Sequence, residues 1–113
     1  MKGSLMIFRL AVVIALLVGL GGLFGIYAMT PVLQDVHIVA GIIVLVAVAW
    51  LAFQVKNATV AMGALLVLLG GLLPLVVRGD SLGIRIFHLV IMLVAVGLAE
   101  MGVARALRAE RPH

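Results

Sequence analysis

The chain has no cysteine. That excludes disulfides, Cys-ligated iron–sulfur clusters and covalent c-type haem attachment. It also has little charge: Asp and Glu together number 4, and charged residues make up 11% of the 113. An ordinary soluble domain is about one-quarter charged and about half apolar. Here 66% of residues are hydrophobic, and the mean hydropathy is +1.43. A water-soluble fold could not hide that much apolar surface, so the expected solvent is a lipid bilayer. The net charge of +4 is not a nucleic-acid footprint, because the basic residues gather at the ends of apolar runs, where they serve topology. No nucleic-acid partner is expected.

A membrane span needs about 20 apolar residues. Four such runs fit the chain, at about 10–29, 31–55, 58–77 and 82–104. The first follows Lys2, as a signal peptide would, but it is too long for a signal h-region and lacks a small-residue cleavage site. The breaks at Thr30-Pro31, Lys56-Asn57 and Arg78-Gly79-Asp80-Ser81 are short, so successive helices should be antiparallel neighbours. The expected fold is all-α: one transmembrane domain over residues 1–113, a polytopic four-helix up-down-up-down bundle of two repeated helical hairpins. Lys2, Arg9, Lys56, Arg105, Arg108 and Arg111 fall on one side, against Arg78 and Arg85 on the other. The expected placement is therefore the prokaryotic cytoplasmic membrane, with both termini cytoplasmic. Trp50, near the cytoplasmic end of the second run, reads as an interfacial anchor.

The repeat is visible in Leu20-Gly21-Gly22-Leu23 and Leu69-Gly70-Gly71-Leu72, and in two capping residues. Thr30 precedes Pro31, and Ser81 stands in the equivalent place before the last run. His37 lies seven residues after Thr30, and His88 seven after Ser81. Two imidazoles should therefore share one depth, about 10 Å below the outer helix ends at about 1.5 Å per residue. Ionisable groups are costly in a bilayer and are functional by default. A structural or proton-handling pair remains an alternative. Zinc wants four ligands, or three and a water, and the only other histidine, His113, is in the tail. Haem iron needs two axial protein ligands, so the leading expectation is haem b held by His37 and His88.

Counting seven residues inward from Met29 and from Val77 gives Gly22 and Gly70. Gly21, Gly22, Gly70 and Gly71 are therefore expected to open a slot for the haem plane, with close helix packing as the alternative. Gly41, one turn inward of His37, would clear space against the ring, whereas Met92 in the equivalent place could pack there. Arg85, one turn outward of His88, and Arg78 in the adjoining loop are expected to meet propionates, the alternative being arginines that snorkel. Gln34 stands where Arg85 would be in the first hairpin. Glu100 near the end of the last run is expected to be solvated or paired with Arg105 or Lys56; a proton or quinone role is the alternative.

These residues resemble the haem A synthase family, each half of which is a four-helix bundle with one ligand histidine on its second and one on its fourth helix. His37-Ile38-Val39-Ala40-Gly41 is similar to that family's second-helix motif, with Ile38 in place of the usual arginine. Leu69-Gly70-Gly71-Leu72 and His88-Leu89 are similar to its third and fourth helices. The family has two such halves and this chain has one; Gln34, beside Asp35, replaces a glutamate of the catalytic half, and the outer-loop cysteine pair is absent. The resemblance thus implies a haem-binding half, a b-type cytochrome module, rather than oxidation of a haem methyl group.

The expected function is a membrane b-type cytochrome for electron transfer or haem handling, more an electron-transfer subunit than a complete enzyme. Expected partners are a second copy in a homodimer or the subunits of a respiratory complex, with quinone a further candidate. The competing readings are a half-length haem A synthase-like enzyme and a haem-free four-helix transporter. Small exporters resemble one another in a membrane glutamate on helix one, and this first run has no acidic residue.

Overall fold

The computed structural model describes residues 2–26, 28, 30–77 and 81–109. They form four helices: α1 Lys2–Leu23, α2 Pro31–Val55, α3 Ala58–Val76 and α4 Leu82–Ala109. Thr30 caps α2, its Oγ1 accepting the Leu33 N–H at 3.2 Å, and Pro31 occupies the first turn, where a missing N–H costs nothing. Ser81 does the same for α4, accepting the Ile84 N–H at 3.2 Å. Between α2 and α3 only two residues turn the chain. Lys56 takes a left-handed backbone, φ 50°, and Asn57 accepts the Thr59 and Val60 N–H groups at 2.8 and 3.3 Å.

The first helix differs from its expected span of 10–29. It begins at Lys2, because a charged residue at a helix end does not stop the helix, and it ends at Leu23. Gly25 adopts φ +70°, the Gly25 N–H bonds the Gly22 carbonyl at 3.3 Å, and the Ile26 N–H bonds the Gly21 carbonyl at 2.9 Å. That is a Schellman ending: a glycine in the left-handed conformation turns the chain and satisfies the last carbonyls. The fourth helix runs to Ala109, beyond the expected end near 104.

Each helix is long and apolar enough to cross a membrane. The molecule measures 52 × 22 × 19 Å, against a bilayer hydrocarbon core of about 30 Å. Only 11–28% of the most apolar stretch of each helix is buried within the protein, so most of that surface faces outward, as contact with lipid requires.

The helices pack α1 on α2, α2 on α3 and α3 on α4. Buried residues of α2 lie between Ala40 and Leu51, and those of α4 between Ala95 and Val103, all on the terminal side of the histidines. There α3 and α4 touch backbone to backbone. A Cβ on Gly63 would lie 2.9 Å from the Ala95 carbonyl oxygen, and one on Gly102 would lie 2.8 Å from the Val60 nitrogen. Small residues permit this approach, and in lipid such packing holds helices together. Glu100 does not pair with Arg105 or Lys56. Arg9 of α1 grips it with a two-pronged contact, Nε to Oε1 and Nη2 to Oε2, both 2.8 Å. Nearby, the Ser4 hydroxyl donates to Gln54 Oε1 at 2.9 Å, tying the start of α1 to the end of α2.

Candidate functional site

His37 and His88 come together. Their ring centroids are 6.2 Å apart with the planes at 70°, and both side chains are half-buried. Each ring leans on a different neighbour. His37 Nδ1 lies 2.9 Å from the Ala15 carbonyl oxygen of α1, and His88 Nδ1 lies 2.7 Å from the Gly70 carbonyl oxygen of α3. A carbonyl oxygen can only accept, so both Nδ1 atoms carry the proton and donate it. The neutral imidazole then keeps its lone pair on Nε2. No hydrogen bond to either Nε2 is present among the described residues. In the neutral form each ring, oriented by a backbone carbonyl, therefore offers an Nε2 lone pair.

The remaining candidates divide. Gly70 reaches His88 through its carbonyl, but its side-chain face is not an open slot. A Cβ there would lie 2.7 Å from Ile91 Cγ2 and 3.0 Å from Met92 Sδ, so α4 already fills that space. Gly41 and Gly71 have no heavy atom within 4 Å of where a Cβ would stand. Gly21 is buried and Gly22 half-buried. His37 meets α1 at Ala15 and Gly19, where a Cβ on Gly19 would lie 3.1 Å from His37 Cε1. The shift follows from the ending at Gly25. With α1 ending at Leu23, the level of His37 is met earlier in α1. Arg85 and Gln34 are exposed on α4 and α2, and Arg78 lies outside the described residues.

Ala15 and Gly19 are the site residues that sequence reasoning missed. The available signal was a third glycine in the same run, three residues before Gly22. Among the described residues, no group of three or more His, Cys, Asp or Glu side chains could hold a metal ion. Two open grooves lie in the terminal half: one is lined by Phe8, Arg9, Val12, Val13, Val96 and Glu100, the other runs beside Trp50. Neither reaches the histidines, and chemistry rather than concavity marks the site. No protein-family model, no curated protein and no solved structure matches the chain.

Proposed function

We propose that this protein is a membrane b-type cytochrome that holds one haem b between α2 and α4, with His37 and His88 as its two axial ligands. The observation that carries this reading is the imidazole pair itself. A metal–imidazole bond is about 2.0 Å, and the bonding nitrogen lies about 1.1 Å from its ring centroid, so two imidazoles on opposite sides of one metal have centroids about 6 Å apart. The two rings stand 6.2 Å apart. Each donates Nδ1–H to a carbonyl, the outer contact that sets the tautomer of a metal-bound histidine and raises its basicity. A two-ligand set suits haem iron and falls short of zinc. The open faces at Gly41 and Gly71 leave room for a flat ring, and Arg85 and Arg78 are assigned to its propionates.

The bound haem supplies a one-electron couple. Two strong axial ligands favour electron transfer over oxygen chemistry, which keeps the resemblance to haem A synthases at the haem-binding half. In this reading the bundle is up-down-up-down, built from two repeated hairpins. The Ser4–Gln54 and Arg9–Glu100 contacts support it, since each joins the start of α1 to the far end of another helix. Both termini are cytoplasmic in a prokaryotic membrane, and electrons come from a quinone, a respiratory subunit or a second copy of the chain. The test is a reduced-minus-oxidised spectrum with a pyridine haemochrome assay on protein purified in mild detergent. Sharp low-spin bands with one haem per chain are expected. A colourless protein that takes up no added haem would end this reading.

A further inference from the structure

We propose that Pro74 is a positioning residue for His88: by lacking an N–H it leaves the Gly70 carbonyl to the histidine alone. In an α-helix each carbonyl accepts the N–H four residues on. Four residues after Gly70 stands Pro74, inside α3, and proline has no N–H to give. A carbonyl freed in an apolar medium must find another donor. His88 Nδ1 is that donor, at 2.7 Å. Gly70 also brings α4 close enough for the bond, since a Cβ there would run into Ile91 and Met92.

The other histidine has a different acceptor. His37 donates at 2.9 Å to the Ala15 carbonyl, which lies in the unbroken part of α1, four residues before Gly19. The Gly19 N–H is that carbonyl's helical donor, so His37 shares its acceptor. An acceptor with one donor binds it more strongly than an acceptor with two. Pro74 therefore makes the two imidazoles unequal: His88 is held harder in the Nδ1–H tautomer, with Nε2 as its lone-pair nitrogen. The consequence at a metal rests on the proposed haem function, whereas the tautomer belongs to the protein alone.

The test separates the two. Nitrogen-15 NMR of histidine-labelled, haem-free protein in detergent reads the tautomer of each ring. His88 should be a single Nδ1–H form. In Pro74→Ala the helical N–H returns, and the His88 Nδ1–H signal should move towards that of His37, the ring with a shared acceptor, while His37 is unchanged. Pro74→Ala combined with Leu75→Pro keeps a proline in α3 but frees the Gly71 carbonyl instead, and should resemble Pro74→Ala. An unchanged His88 in Pro74→Ala, or its restoration in the double variant, would overturn the assignment. On haem titration, Pro74→Ala should bind about tenfold more weakly or worse and reduce at a higher potential; unchanged affinity and potential would remove Pro74 from the ligand's control. If the wild-type protein takes up no haem, the cytochrome reading fails on its own and the NMR result still decides the role of Pro74.

Discussion

Towards the chain termini α3 and α4 meet backbone to backbone at Gly63 and Gly102, and Arg9 joins Glu100 across α1 and α4. Towards the α1–α2 and α3–α4 connections no described side chain beyond the histidines is buried, apart from the glycine backbone at Gly21. There two imidazole–carbonyl bonds cross between helices. One half is closed by small residues that let helices touch. In the other, Gly70 sits against Ile91 and Met92 of α4, and the two imidazoles reach neighbouring backbones. The same residue type, glycine, meets a backbone at Gly63 and open space at Gly41, so sequence position alone does not say which role a glycine has.

That contrast can be broken in a graded way. The largest effect is expected at the histidines. His37→Ala or His88→Ala should each abolish the low-spin haem spectrum while leaving an inserted, monodisperse protein; a wild-type spectrum in either would remove that residue as a ligand. Next comes the closed half. Gly63→Leu drives a side chain into the backbone of α4, which cannot rotate away, and should cost about 3 kcal/mol or more. Thermal unfolding in detergent measures it, and an unshifted midpoint would mean that the α3–α4 contact is looser than described.

Gly41→Leu sharpens the comparison from the other side. Its side chain would enter open space, so thermal stability of the haem-free protein should hold while haem uptake falls several-fold. A loss of stability with haem uptake intact would place Gly41 with Gly63, as a packing residue. The smallest effect is expected from Arg9→Ala. The pair is 58% and 34% exposed at its two side chains, and exposed pairs of this kind contribute about 1 kcal/mol or less. Arg9→Ala and Glu100→Ala should have similar small effects on unfolding, and together no more than either alone; full additivity would show that the two side chains act separately.

The elements legible in the chain are those set by local chemistry. Thr30 and Ser81 were readable as caps because a hydroxyl before an apolar run satisfies an N–H three residues on, whatever the rest of the protein does. The matched spacing of His37 and His88 follows from those caps. The end of α1 was also written locally, in Gly25, but it was hidden by apolar residues continuing to Met29 with no polar break. A helix continued to Met29 puts Gly22 at the level of His37; the ending at Leu23 goes with Ala15 and Gly19 against that ring. Gly70 was placed at the right level for a different reason from the one expected, since its carbonyl and not its missing side chain meets His88.

Helix capping and the matched spacing of two histidines from their caps were determined by the sequence alone, because each depends on residues within one or two helical turns. Helix rotation and tilt decided the rest. Which carbonyl each imidazole reaches, whether a glycine faces a backbone or open space, and that Glu100 takes Arg9 from 91 residues away depend on how four separate cylinders are turned against one another. Apolar residues on every side of a membrane helix leave no polar face from which that rotation can be read, so it is settled only when the helices pack.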